Sequence, residues 1–449
     1  MPLIGAVADD LTGATTTGVL LARSKARAAV FFDAAGAEHA ENMEKLDGVI
    51  ISANSRPLPA DEAYRAVQDA TRALMDMGVK YFQKRIDTTC RGGIGVEIDA
   101  MLDTIGSGTV AIVVPSMPYS RRILVGGFSV IDGVALTRTP AAQDVRTPVK
   151  ECFVPRLIAG QTRRRVGLVT LDVVLKGSRV ICGELLRQRE EGVEVFVVDA
   201  ISIEDVTQIA EAAIRTGWNF ITVDPGALTV KTMLLRGLIQ NEEDNAPPQG
   251  AEDGKTVLVA AGSATSVTKK QMEGLLSDPR HVRISVDPEK LIDGGEAAEK
   301  ETGRAVNAAA ELIMGDMQPR AVLFETALHG TLLDLGAEEE KRHLASGAAA
   351  DRINRGIGQI VKRVIDRTGR DRIAGIYATG GDTMVCTCNA LGANCLEMLD
   401  HVIPQTDIGV LSGGAYDGLP VIGKGGLTGY DSIVRDIVTR LFCEAARVR

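Results

Sequence analysis

Two adjacent carboxylates, Asp9 and Asp10, end the short apolar run Leu3 to Ala8 and open Leu11-Thr12-Gly13-Ala14. The run suits a buried strand, and the stretch from Ala14 to Ser24 suits a helix. In an open α/β sheet, ligands bind at the carboxyl ends of strands. Neighbouring acids repel and raise each other's pKa, so the pair is costly unless it has a task. Capping the helix accounts for one of them. The other is a candidate to meet a substrate.

A second cluster follows the apolar entry Val79 to Phe82. Lys84-Arg85-Ile86-Asp87-Thr88-Thr89-Cys90-Arg91-Gly92-Gly93 packs cations and an acid around hydroxyls. Arginine offers a planar fork for a carboxylate or phosphate, and lysine a mobile point charge. Asp87 can accept from sugar hydroxyls. Ser55-Arg56, after the apolar run Gly48 to Ser52, adds another strand-end arginine and a candidate carboxylate clamp. These groups suit a small polyhydroxy acid.

Three polar, glycine-bearing segments follow apolar runs later in the chain. They are Ala261-Gly262-Ser263-Ala264-Thr265-Ser266, Ala378-Thr379-Gly380-Gly381-Asp382-Thr383 and Lys424-Gly425-Gly426-Leu427-Thr428-Gly429. Glycine lets backbone N–H groups turn toward an anion, and a helix N-terminus adds partial positive charge. Converging at one sheet edge, they would cradle nucleotide phosphates. None has the GxxxxGK[ST] or GxGxxG spacing. Asp382 could hold Mg²⁺ through water or accept a proton from an attacking hydroxyl. No residue is expected to bind a metal directly.

These segments need strands to present them. The first half alternates candidate strands (Leu3–Ala8, Ala28–Phe32, Gly48–Ser52, Tyr81–Arg85, Thr109–Val114, Val166–Thr170, Val193–Val198, Phe220–Val223) with helical patterns such as Ala60–Met77 and Ile203–Thr216. Tyr119–Asp144 reads as a hairpin insertion. The second half has candidate strands Val257–Ala261, Val282–Val286, Ala321–Glu325, Gly375–Ala378 and Leu419–Ile422. Its helix candidates are Ser266–Leu276, Gly294–Met314, Ala348–Arg367, Met384–Leu391 and Ser432–Val448. The polar tract 241–255 has linker composition. The expected fold is therefore two α/β domains with mostly parallel sheets, residues 1–240 and 256–449. Substrate and nucleotide are expected in the cleft between them.

Composition narrows the class. A chain of 449 residues with 45% hydrophobic and 24% charged residues is typical of a globular protein. A net charge of -9 and 4% aromatic residues argue against nucleic acid as a partner. No apolar stretch reaches membrane-span length, and no basic region precedes an apolar core at the start, so a cytoplasmic protein is expected. The seven cysteines contain no CxxC pair and read as reduced, mostly buried thiols.

In combination, the same segments resemble the four-carbon acid sugar kinase family. ADDLTGA stands at Ala8–Ala14, and Lys84–Gly92 matches a K-[K]-x-D-S-T-x-R-G motif with Thr88 for its serine. VVPSMP at Val113–Pro118, GGFSVIDGVAL at Gly126–Leu136 and TPVKE at Thr147–Glu151 follow in order. GSATSVT at Gly262–Thr268 and TGGDT at Thr379–Thr383 complete the set. The resemblance implies an acid-sugar-binding domain, a nucleotide-binding domain, and phosphorylation of threonate, erythronate or an oxo derivative with ATP and Mg²⁺. It implies that Asp10, Arg56, Lys84, Arg85, Ile86 and Asp87 contact the acid, with Asp9 and Arg91 beside them. Ser263, Gly380, Gly381, Asp382, Thr383 and Gly426 would contact the nucleotide. Asp10 or Asp382 would be the base. Where the family continues with Asn-Asp-Thr-Gly, this chain has Thr15-Thr16-Thr17-Gly18. The alternative is a non-catalytic sensor of a sugar acid or nucleotide on the same scaffold. A homodimer is the candidate assembly.

Overall fold

The computed structural model describes residues 2–38, 43–144, 146–241, 254–262, 265–328, 332–426 and 428–447. The chain divides into two compact units, Met1–Asp244 and Asn245–Arg449. The expected linker lies almost wholly outside the described residues, as does Ser263.

The first unit is built on β1 (Ile4–Ala8), β2 (Ala28–Phe31), β3 (Gly48–Ser52), β4 (Tyr81–Arg85), β5 (Val110–Val113), β6 (Arg122–Val125), β7 (Phe128–Ile131), β8 (Val134–Ala135), β9 (Val166–Val169), β10 (Val195–Val198) and β11 (Phe220–Asp224). Eight of these form a parallel sheet in the order β2-β3-β1-β4-β11-β5-β10-β9. All five residues of β1 are buried, as are all of β2, β3 and β5. Such continuous apolar runs are what a parallel sheet covered on both faces requires. On one face, Ile112, Phe196 and Val198 pack with Ile181, Leu185, Val206 and Ile209 from helices Ser178–Glu190 and Ile203–Arg215. Each such aliphatic side chain contributes about 1.5–3 kcal/mol by leaving water.

The expected insertion is present as the antiparallel sheet β6-β7-β8. Its Gly126-Gly127 turn is fixed by Asp199, the residue after β10. The Asp199 carboxylate accepts from the N–H groups of Gly126 (2.6 Å), Gly127 (2.8 Å) and Leu171 (3.0 Å).

The second unit holds β12 (Thr256–Ala261), β13 (His281–Ser285), β14 (Ala321–Glu325), β15 (Ile373–Thr379), β16 (Cys395–Ile403), β17 (Thr406–Ser412) and β18 (Pro420–Lys424). Their order is β13-β14-β12-β15-β18-β17-β16. The first five are parallel, and β16 and β17 extend the sheet antiparallel. That hairpin was not among the expected strands. Val257, Tyr377 and Ile422 pack against Ile433, Ile437 and Leu441 of helix Ile433–Ala445. Among the described residues no helix is long and apolar enough to cross a membrane.

Candidate active site

In the first unit β1 lies between β3 and β4, with Ala8 opposite both Ser52 and Arg85. The chain runs to β2 and β3 on one side of β1 and to β4 on the other. This is a topological switch point, where strand-end loops diverge and leave a crevice. Three loops meet there, carrying Asp9 and Asp10, Ser55 and Arg56, and Ile86 to Gly93.

Arg56 joins the first two loops. Its Nε and NH2 donate to the two oxygens of Asp9 at 2.7 and 3.0 Å, and its NH1 donates to Asp10 Oδ2 at 2.6 Å. Asp10 also caps helix Leu11–Arg23, its Oδ1 accepting from Gly13 N–H at 2.7 Å. The adjacent acids are therefore distinct. Asp10 is both cap and cleft residue, with 30% of its side chain exposed, and Asp9 is held beneath it at 3%.

Their proton affinities diverge too. Burial raises the Asp9 carboxyl, but Arg56, Lys84 and Arg85 outweigh it and leave it below the ordinary value. For Asp10, burial and the charge of Asp9 prevail over Arg56 and Arg85, and its pKa is raised. Two acids pushed apart by their surroundings suit one charged and one proton-accepting role.

Lys84 corrects the sequence reading. It was expected as a mobile charge at the substrate, but its side chain is 0% exposed. Nζ pairs with Glu97 Oε2 at 2.7 Å and donates to the carbonyls of Arg85 and Val7. The cause is the sheet itself, which is covered on both faces where β4 carries Lys84. Ile86 is corrected on the same ground. Its side chain is buried, its N–H donates to Asp224 O, and its carbonyl accepts from Arg85 NH1. Arg85 is different: it is buried at the Asp10–Gly13 turn, and its Nε has no partner among the described residues.

Asp87 ties the third loop together. Arg91 Nε donates to it at 2.6 Å, and the Thr89 hydroxyl donates to the same oxygen. Burial raises its pKa, but Arg56 and Arg91 pull it well below the ordinary carboxylate range. Arg91 NH1 donates to Asp144 at 2.9 Å, so the arginine clamps the loop before Thr147 onto the strand end. Gly92 sits at φ +88°, and a Cβ there would lie 3.3 Å from Arg56 Cγ. A side chain at 92 would both strain the backbone and disturb Arg56.

The glycine loops of the second unit do converge. They leave three adjacent strands, with Ala261 opposite Thr379 and Thr379 opposite Lys424. Gly380 adopts φ +98° and donates its N–H to Lys424 O at 2.9 Å. Gly381, Asp382 and Thr383 form the first turn of helix Gly381–Ala390, and Asp382 is exposed. Thr383 Oγ1 donates to Asn354 Oδ1 at 2.8 Å. Gly262 lies against that pair; a Cβ there would come within 2.3 Å of Thr383 Oγ1 and 2.4 Å of Asn354 Oδ1. The Gly426 carbonyl accepts from the hydroxyls of Thr265 (2.7 Å) and Thr268 (3.2 Å), at the start of helix Ser266–Leu275. Among the described residues no three His, Cys, Asp or Glu side chains stand together as metal ligands.

Residues 4–232 match the family described as sugar-binding N-terminal domain, and residues 258–434 match the nucleotide-binding C-terminal domain. A D-erythronate kinase of Heliobacterium modesticaldum is 35% identical, over 94% of this chain and 93% of its own. The chain belongs to the four-carbon acid sugar kinase family. A D-threonate kinase of Salmonella typhimurium, another relative of this kinase-family chain, is 29% identical over 97% of this chain and 98% of its own. A solved Salmonella typhimurium LT2 protein described as a putative tRNA synthase superposes with TM-score 0.77 over 97% of this chain and 98% of its own. At 19% identity that likeness shows the fold alone.

Several residues of the two strand-end clusters, one in each unit, escaped the sequence reading. Glu97 is an acid within the apolar run Ile94 to Leu102, a signal for a buried ion pair. Asp144 lies in the loop between two quoted motifs. Asn354 sits in the helix Ala348–Thr368, and nothing local marks it.

Proposed function

We propose that this chain is an ATP-dependent kinase that phosphorylates a hydroxyl of a four-carbon sugar acid, threonate- or erythronate-like or an oxo derivative. The observation that carries the reading is that one chain holds both a switch-point site in its first unit and a strand-end glycine cradle in its second. One presents Asp10, Arg56, Arg85 and Asp87, and the other a threonine- and glycine-lined cradle. Kinases of D-erythronate and D-threonate among the relatives support it.

In this reading Arg85, with its unpartnered Nε, faces the substrate carboxylate. Asp87 accepts from a sugar hydroxyl, held in place by Arg91 and Thr89. Asp10 takes the proton of the attacking hydroxyl, because it is the more exposed acid and the one with raised proton affinity. Asp9 stays charged and fixes Arg56. Gly380, Gly381, Thr383 and Gly426 line the anion cradle, with Ser263 assigned there from its motif. A lone exposed carboxylate, Asp382, fits Mg²⁺ held largely by water and phosphate, where the ion supplies charge neutralisation. Phosphoryl transfer needs positioning and charge more than covalent chemistry, and these residues offer both.

The test is ADP release with ATP and Mg²⁺ across four- to six-carbon sugar acids and their oxo derivatives. Turnover of a four-carbon acid is expected. Thermal stabilisation by ATP with no ADP released from any acid would favour the sensor reading instead.

A further inference from the structure

Lys424 is a buried cation that the site so far leaves unused. It ends β18 and is 3% exposed. No carboxylate pairs with it among the described residues. Its Nζ donates instead to two backbone carbonyls, Gly425 at 2.7 Å and Thr428 at 3.0 Å. Thr428 O is held a second time by Gln271 Nε2 at 3.0 Å, and Gln271 also reaches Tyr430 O at 3.2 Å. Thr265 and Thr268 hold Gly426 O. The carbonyls of Gly425, Gly426 and Thr428 are thus all taken by side-chain donors.

A loop whose carbonyls are drawn into the protein no longer sets them against an incoming anion. Resting on the kinase reading above, we propose that Lys424 is a positioning residue for the phosphates of a nucleoside triphosphate. It holds the Gly425 and Thr428 carbonyls inward, away from the anion, and sets its ammonium charge behind the loop, which the Thr428 N–H closes onto Gly425 O at 3.2 Å. Fold stability is a poor reason for such a lysine. Burial pushes its pKa down to about 8, so keeping it charged at neutral pH opposes folding. A third ammonium hydrogen also remains beyond the two carbonyl bonds.

The experiment measures the affinity of the full chain for ATP and for adenosine, with the KM values for ATP and for the acid. The variants are K424M, which keeps the apolar stem, and Q271M, which removes the other donor to Thr428 O. K424M is expected to weaken ATP at least tenfold while adenosine affinity and the KM for the acid stay within twofold. Q271M is expected to weaken ATP threefold or more, with adenosine again unchanged. Unchanged ATP affinity in K424M overturns the role of Lys424, as does a parallel loss of ATP and adenosine. If K424M does not fold, Q271M carries the test, and an unchanged ratio of ATP to adenosine affinity overturns the proposal. Failure of the unmodified chain to bind ATP removes the kinase reading itself, a result distinct from all of these.

Discussion

Glu97 Oε2 stands 2.7 Å from Lys84 Nζ, and both side chains are sealed from solvent directly beneath the acid pair. Removing one partner of such a pair strands the other charge, at a cost of about 3–5 kcal/mol. Glu97→Ala should therefore lower unfolding free energy by about that amount, read from urea denaturation. Lys84→Met combined with Glu97→Leu should recover most of the loss. A single-variant loss below ~1 kcal/mol would show that the pair is not isolated from water.

Asp10→Asn separates proton acceptance from structure. Asparagine caps a helix as well as aspartate does, so helix Leu11–Arg23 should persist. On the proposed chemistry kcat should fall by about 10²–10⁴-fold with a much smaller change in KM for the acid. A variant with full turnover would move the base elsewhere, and Asp382→Asn would be the next kinetic comparison.

Acid should weaken the first unit through Asp87. Its pKa is lower folded than the ordinary value of 3.8, so it stabilises the fold at neutral pH. That contribution is present above the unfolded value and is lost as pH falls toward the folded one. Asp9 acts in the same sense. Asp87→Asn should remove on the order of 2 kcal/mol at pH 7 and flatten the decline between about pH 4 and 2. Chemical denaturation at stepped pH checks both, and parallel curves for the two proteins would contradict the assignment.

Gly262→Ala probes the cradle without removing a polar group. The added methyl would press on Thr383 Oγ1 and Asn354 Oδ1, which meet at 2.8 Å. Overpacking of this kind costs about 1–3 kcal/mol. ATP affinity should drop at least tenfold in calorimetry, with acid binding preserved. Equal affinity would mean that the loop shifts without consequence for the ligand.

Much of this was legible because the informative residues end apolar runs. Asp9-Asp10, Arg56, Asp87 and the three glycine segments all follow strands that their composition predicts. Lys84 was expected at the substrate because it stands in a charged motif at a strand end, and only packing on both faces reveals its burial against Glu97. The β16–β17 hairpin was missed because Glu397, Asp400 and His401 interrupt its apolar residues. Pro404-Gln405, with Gln405 at φ +66°, was the available turn signal. Asn354 owes its place to tertiary packing between helices, which no local pattern records.

The three cradle loops leave β12, β15 and β18, adjacent strands whose ends lie at residues 261, 379 and 424. Bringing them together closes long loops of chain, a slow step in folding. The cradle should thus be a late product, absent from any collapsed intermediate that has not yet seated β18. A nucleotide that recognises only the finished cradle would then withdraw molecules from the unfolded pool only once the second unit is complete. In a refolding time course, its binding would report the last long-range closure rather than the first collapse.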